Sequence, residues 1–109
     1  MNTLQNDQTA IAKLKERIAG FPRVTFAQLP TPLHRLDNFS RFLDIDLWIK
    51  RDDLTGFEGG GNKTRKLEFI VADAIEANAD TLVTIGALQS NHTRQTAAAA
   101  ARMGLKCAL

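Results

Sequence analysis

The stretch "TLVTIGALQSNHTRQTAAAAARMGLKCAL", residues 81–109, determines the expected fold class. Residues 81–85 are a short, nearly continuous apolar run, which is typical of a strand buried on both faces of a parallel sheet. A helix is expected over 91–103, because alanine favours helix and Gly104 supplies a C-terminal stop. Residues 105–109, "LKCAL", begin another strand. Two strands joined by a helix predict a parallel β–α–β unit.

The residues before this unit repeat the alternation of strand and helix. Residues 45–50 alternate apolar with polar side chains, which predicts a strand. Residues 64–77 predict a helix closed by Asn78. Its apolar face comprises Leu67, Ile70, Val71, Ala74 and Ile75. The order β-α-β-α-β predicts an α/β protein with an open, parallel, twisted sheet and flanking helices.

The N-terminal part of the chain is less regular. Residues 8–19 predict an amphipathic helix. Its apolar face comprises Ile11, Leu14 and Ile18. Residues 23–36 are expected to be extended, because Pro30 and Pro32 bias their predecessors to open conformations. A short helix follows over 36–43, where apolar side chains again recur on one face.

Composition limits the functional classes. Of 109 residues, 44% are hydrophobic and 24% are charged, so a soluble globular protein is expected rather than a disordered or fibrous one. The net charge of +2 gives little support for nucleic-acid binding. The chain lacks both the apolar run of a membrane span and the apolar segment of a signal peptide. Its single cysteine, Cys107, permits no internal disulfide and is expected to be a buried thiol. We therefore predict a cytoplasmic protein.

The end of the sequence also carries an expectation. The last strand reaches Leu109 with no turn, cap or helix after it. Because the helices of such a sheet need further cover, we expect an N-terminal piece of a longer chain.

The loop "GFEGGGNKT", residues 56–64, places three glycines and a lysine before a helix. Glycine loops that open onto helices bind anions, so a phosphate site is one interpretation. The nucleotide motif requires a glycine directly before the lysine, but Asn62 stands there, so the spacing is wrong by one residue. A nucleotide-binding domain stays open as an alternative. The dipole of the helix also disfavours a charged Lys63.

A second loop, "GALQSNHTRQ" (86–95), follows the strand at 81–85. Ser90 or Asn91 is a preferred helix N-cap, which explains these residues on local grounds. The same groups can also bind a carboxylate, at the place where open α/β sheets bind ligands. If both loops face one cavity, a reactive Lys63 amine and a carboxylate site suit an amino-acid substrate and a carbonyl cofactor. A solvated surface lysine is the competing interpretation.

These two loops together resemble a known family. "KRDDLTGFEGGGNKTRKLEF" (50–69) and "GALQSNHTRQTAAAAA" (86–101) are similar to the D-cysteine desulfhydrase / 1-aminocyclopropane-1-carboxylate deaminase family of pyridoxal-phosphate enzymes. The resemblance runs from about Phe21 to Leu109. It implies the tryptophan-synthase-β-like fold, which is fold type II of the pyridoxal-phosphate enzymes. Members of the family are considerably longer than this chain.

The resemblance also implies roles for residues of the first loop. Lys63 matches the Schiff-base lysine, which is expected to remove the substrate α-proton as well. Asn62 matches the cofactor-binding residue beside it. Lys66 matches a lysine that contacts the cofactor phosphate.

The second loop matches the family's substrate-binding motif. Ser90 and Asn91 match the pair that binds the substrate carboxylate, and Asn91 also matches the residue near the pyridoxal 3-hydroxyl. Gln89 and His92 match residues that line the pocket. For His92, packing at the helix N-terminus is an equal alternative.

The implied function is β-elimination of D-cysteine to pyruvate, hydrogen sulfide and ammonia by a homodimeric lyase. This chain has QSNH, which resembles the desulfhydrases more than the deaminases, whose motif usually reads QSNQ. 1-Aminocyclopropane-1-carboxylate deaminase and L-cysteate sulfo-lyase stay open as alternatives. No metal, nucleic-acid or membrane partner is expected, since the adjacent acids Asp52 and Asp53 lack a third metal ligand.

The resemblance further implies a division of the chain and a limit on what it does alone. Residues 1–60 are expected to be an N-terminal helix and an extended segment that leads to the lysine loop, within the larger cofactor domain. Residues 61–109 are expected to begin a βαβ small domain that is incomplete at its C-terminus. The phosphate loop, the active-site tyrosines and the acid at the pyridine nitrogen lie later in the family, so a non-catalytic fragment is the expectation for this chain alone.

Overall fold

The computed structural model describes residues 3–109, with side chains from residue 7 onward. This range contains short strands and helices in an alternating order. They are α1 (Thr3–Ala19), β1 (Leu33–Arg35), α2 (Asp37–Leu43), β2 (Trp48–Lys50), a 3₁₀ turn (Asp52–Leu54), α3 (Lys63–Glu76), β3 (Thr81–Val83), α4 (Asn91–Met103) and β4 (Lys106–Ala108). None of the helices in the described range is long and apolar enough to cross a bilayer.

The predicted β–α–β unit is confirmed. Strands β3 and β4 pair in parallel, with Leu82 opposite Cys107, and α4 is the connection between them. The predicted helix stops are also confirmed, because Asn78 and Gly104 both adopt the left-handed conformation, with φ of 56° and 71°. The chain therefore turns where its sequence places residues that tolerate positive φ.

The predicted place of residues 45–50 in that parallel sheet is wrong in the described chain. Strand β2 pairs instead with β1, antiparallel, with His34 opposite Ile49. The cause lies in α2, which ends at Asp44 in the left-handed conformation (φ 53°) and turns the chain back along β1. Ser40 stabilises this turn, since its hydroxyl accepts a hydrogen bond from the Leu47 N–H at 3.1 Å.

The core lies between α3, α4 and the parallel strands. Phe26 and Phe57 stack with ring centroids 4.8 Å apart. The buried side chains packed with them are Val71, Leu82, Ala99 and Ala100. Helix α4 covers one face of β3, and successive side chains of a strand point to opposite faces. Some side chains that were expected in the core are therefore exposed.

Three burial predictions are therefore wrong for the described residues. Strand β3 is not buried on both faces, since Val83 is 77% exposed, and Ile85, which was predicted to extend this strand but lies beyond it, is 90% exposed. Cys107 is exposed rather than buried. On α3, Ile70 and Ile75 are also exposed, at 48% and 40%.

Helix α1 ends where the sequence predicts but begins five residues earlier, at Thr3, and it has an exposed apolar face. Ile11, Leu14 and Ile18 are 52%, 55% and 42% exposed, so no described residue covers this face fully. The helix ends at Gly20, whose N–H donates to the Arg17 carbonyl at 3.3 Å.

A buried acid that the sequence analysis missed fixes the extended N-terminal segment to α3. Glu68 is 1% exposed and accepts hydrogen bonds from the backbone N–H groups of Phe26 and Ala27, at 2.8 and 2.7 Å. Its other carboxylate oxygen accepts from Arg23. Burial alone would raise the pKa of Glu68, but these donors outweigh burial and hold the pKa below its usual value.

A second ion pair attaches the turn after β2 to the first turn of α3. Arg65 donates two hydrogen bonds to Asp52, at 2.8 and 2.7 Å, and Thr31 adds a third at 2.9 Å. The hydrogen bonds from Arg65 lower the pKa of Asp52 from 3.8 to about 2, although partial burial opposes them. Asp53, in contrast, pairs with its near neighbour Arg51 at an exposed position.

We expect Asp52→Asn to destabilise the fold by about 2 kcal/mol at neutral pH. Because the folded pKa lies below the unfolded one, this stabilisation is fully present above pH 4 and is lost as the pH falls towards 2. Urea unfolding at pH 7 and pH 2.5 measures both effects, and the difference between wild type and variant should shrink by more than half at the lower pH, which lies between the two pKa values. Asp53→Asn is the matched control and should change little at pH 7. Equal losses in the two variants at pH 7 would contradict the assigned role of Asp52.

Candidate active site

The glycine loop before α3 adopts a conformation that side chains disfavour. Gly59, Gly60 and Gly61 have φ of 69°, 77° and 132°. The Gly61 N–H donates to the Asp52 carbonyl at 2.8 Å, and the Gly60 N–H donates to the Phe57 carbonyl at 3.0 Å. The loop thus folds back on the 3₁₀ turn and leads into α3, which begins at Lys63.

The same loop packs against the N-terminal half of α4. A Cβ added to Gly61 would lie 2.9 Å from both Asn91 Nδ2 and Gln95 Nε2. A Cβ added to Gly59 would lie 2.7 Å from Arg94 Nη1. The glycine loop and the start of α4, which are about 30 residues apart in sequence, are therefore in direct contact.

The candidate lysines and their neighbour Asn62 lie at the start of α3. Lys63 is its first residue and is half-buried, while Lys66, one turn later, is exposed. Asn62 precedes the helix and is exposed, and its side chain makes no capping hydrogen bond. Burial, and after it the positive charges of Lys66 and Lys63, lower the pKa of His92 on α4, so both lysines act electrostatically on that ring.

The second group of candidates surrounds the start of α4. Ser90 is the N-cap, and its Oγ accepts a hydrogen bond from the His92 N–H at 3.2 Å. Asn91 is the first helical residue and is half-buried, whereas Gln89 is exposed in the preceding turn. The local N-cap interpretation of Ser90 is thus correct, and Asn91 also contacts the glycine loop.

His92 has one satisfied and one unsatisfied ring nitrogen. Its Nε2 lies 2.9 Å from the Thr84 hydroxyl, while its buried Nδ1 has no hydrogen-bond partner among the described residues. Burial, followed by the charges of Lys66 and Lys63, lowers the pKa of His92 and favours a neutral imidazole at neutral pH. A neutral ring with an unused nitrogen can accept or donate one further hydrogen bond.

Two contacts of this site were missed at the level of sequence. Gln95 is fully buried, and its side chain donates to the Gly60 carbonyl at 2.5 Å. Thr84 contributes the partner of His92. A sequence signal existed for Gln95, because it follows Asn91 by four residues and therefore lies on the same face of α4.

The sequence pattern of the family described as "Pyridoxal-phosphate dependent enzyme" matches residues 24–109. The chain therefore belongs to the family of pyridoxal-phosphate dependent enzymes, and it has the α/β fold of that family, which is fold type II. It is also similar to a crystal structure of an "ACC deaminase homologue", with a TM-score of 0.79 and 48% sequence identity. That match covers 83% of this chain and 28% of the other one, so this chain spans less than a third of its length.

The residues present fit pyridoxal phosphate chemically. An aldehyde requires an amine, which Lys63 supplies, and a phosphate requires cations, of which Lys66 is one at the positive end of a helix. The hydroxyl of Ser90 and the amide of Asn91 are suited to a carboxylate or a ring hydroxyl. The unsatisfied Nδ1 of His92 leaves a further polar contact available.

Proposed function

We propose that the protein is a pyridoxal-phosphate dependent lyase that eliminates hydrogen sulfide from D-cysteine. One observation carries the proposal: the glycine loop that leads to Lys63 contacts Asn91 at the start of α4. The two loops touch each other, and one supplies an amine while the other supplies a group that can bind a carboxylate. This pair suits an α-amino acid whose amino group is attached to a carbonyl cofactor and whose carboxylate is bound by the protein. Because this chain spans 28% of the solved structure it resembles, the activity is proposed for the full-length protein.

The two loops would have different roles in the reaction. Pyridoxal phosphate, when bound, supplies an aldehyde for covalent attachment and a ring that stabilises negative charge at the substrate α-carbon. Lys63 would hold the cofactor and take the α-proton at its Nζ. Ser90 and Asn91 would bind the substrate carboxylate, and Asn62 and Lys66 would bind the cofactor.

The overall reaction is balanced by one water. D-cysteine loses its α-proton and its C–S bond, and hydrolysis of the released enamine gives pyruvate and ammonia besides hydrogen sulfide. Gln89 and His92 would line the pocket around the leaving group. A neutral His92 with a free Nδ1 is suited to contact a polar group of the substrate.

Two alternatives within the family have their own support. The likeness to an ACC deaminase homologue favours opening of the cyclopropane ring of 1-aminocyclopropane-1-carboxylate. The similarity of the loop motifs to those of L-cysteate sulfo-lyases favours elimination of sulfite. A homodimeric assembly and a cytoplasmic location are further predictions for the full-length protein.

The products distinguish these substrates in one experiment. The full-length protein is purified with pyridoxal phosphate and incubated with D-cysteine, L-cysteate and the cyclopropane amino acid in parallel. We expect pyruvate and sulfide from D-cysteine at the highest kcat/KM. Pyruvate with sulfite, or 2-oxobutanoate, as the main product would instead support the corresponding alternative. Absence of any keto acid, together with thermal stabilisation by ATP, would contradict the proposed function and favour a nucleotide-binding domain.

A further inference from the structure

Gln95 is a buried polar side chain, and its burial does not favour the stability of the fold. It is 0% exposed, and Ala99, one turn further along α4, is fully buried in the apolar core. Its Nε2 makes one hydrogen bond, and its Oε1 has no partner within the described residues 3–109. Burying an amide with an unsatisfied oxygen costs free energy that an apolar side chain of similar size would not.

The one hydrogen bond that the Gln95 side chain makes to the described residues connects two parts of the candidate site. Its acceptor is the carbonyl of Gly60, three residues before Lys63. The orientation of the amide is determined, because a carbonyl can only accept and therefore faces the NH₂ group. Gln95 Nε2 and Asn91 Nδ2 are also equally close, at 2.9 Å, to the position that a Cβ on Gly61 would occupy.

We propose that Gln95 is a positioning residue. By holding the Gly60 carbonyl against α4, it fixes Lys63 relative to Ser90 and Asn91 at the start of that helix. The proposal rests on the proposed function of Lys63. Only Gly61 and Asn62 separate Gly60 from Lys63, so the backbone transmits any displacement of the loop to the amine. A misplacement of about 1 Å can reduce a rate by roughly 100-fold.

The test compares Gln95→Met with Thr96→Val in the full-length protein. Methionine retains the size of glutamine but donates no hydrogen bond. Thr96→Val is matched, since Thr96 is also buried and the change removes a part-buried hydrogen bond of α4, from the Thr96 hydroxyl to the His92 carbonyl. Among the described residues, Thr96 has no side-chain hydrogen bond to the glycine loop. Where Gln95→Met fails to fold, Gln95→Glu replaces the donor by an acceptor at the same position.

Three measurements separate positioning from stability. In Gln95→Met we expect faster amide hydrogen exchange in residues 55–63 and a changed ratio of acylation rates at Lys63 and Lys66, both in cofactor-free protein. We also expect kcat to fall roughly 10- to 100-fold with a smaller change in KM, because the carboxylate-binding turn stays intact. Thr96→Val should leave all three readouts near wild type.

The outcomes distinguish this proposal from the proposed function. If Gln95→Met matches Thr96→Val in amide exchange, lysine acylation and kcat, the positioning role is overturned. If wild type neither binds the cofactor nor releases a keto acid, the proposed function fails. In that case the exchange and acylation measurements still decide whether Gln95 fixes the loop.

Discussion

Lys63→Arg should lower kcat for the preferred substrate by about 10³-fold or more in the full-length protein. The guanidinium stays protonated at all working pH values, so arginine retains the positive charge at the start of α3 but cannot attach to an aldehyde or take a proton. Both functions proposed for Lys63 are then lost together. Keto-acid release under saturating substrate measures the effect, and mass spectrometry after borohydride reduction identifies the lysine that carries the cofactor.

The control for this experiment is Lys13→Arg, at an exposed position on α1. This change also replaces a lysine by arginine, but far along the sequence from the glycine loop, and should leave kcat unchanged. A cofactor label on Lys66 or another lysine, or a Lys63→Arg variant within tenfold of wild type, would show that the catalytic amine is elsewhere.

Gly60→Ala should destabilise the protein by about 3 kcal/mol or more. Gly60 has a φ of 77°, where a side chain is strained, and an added Cβ would lie only 1.7 Å from the Asp53 carbonyl oxygen. Because that oxygen belongs to the backbone, relief requires the whole loop to move, including its hydrogen bond with Gln95. Urea unfolding followed by circular dichroism measures the loss.

Gly104→Ala provides the matched control for this prediction. Gly104 has nearly the same φ, 71°, but nothing lies within 4 Å of its added Cβ. We expect a loss of about 1 kcal/mol there, from backbone strain alone. The difference between the two variants therefore isolates the steric contact, and equal losses would refute it.

Parts of the candidate site were predictable because they depend on local chemistry. Ser90 as the N-cap of α4 follows from hydrogen bonding within one turn, and Gly104 as its stop follows from backbone conformation. The glycine run before Lys63 adopts positive φ, which glycine tolerates because it has no Cβ. Resemblance of the two loops then indicated the family, which the comparisons confirm.

Other features depend on residues that meet only in the folded chain. Glu68 appears in sequence as a polar position on a helix, yet it is buried because the N–H groups of Phe26 and Ala27 bind it from about 40 residues away. The antiparallel pairing of β1 with β2 arises from a turn at Asp44 that periodicity does not reveal.

The sequence by itself determined the helices, the parallel β3–α4–β4 unit and the candidate residues, since propensity, caps and periodicity act within a few residues. Tertiary structure alone decided that Gly60 and Gln95 touch, and that the positive charge of Lys63 acts on the His92 ring. Contacts between distant segments depend on how helices pack over a sheet, and that packing is a property of the whole chain rather than of any short stretch.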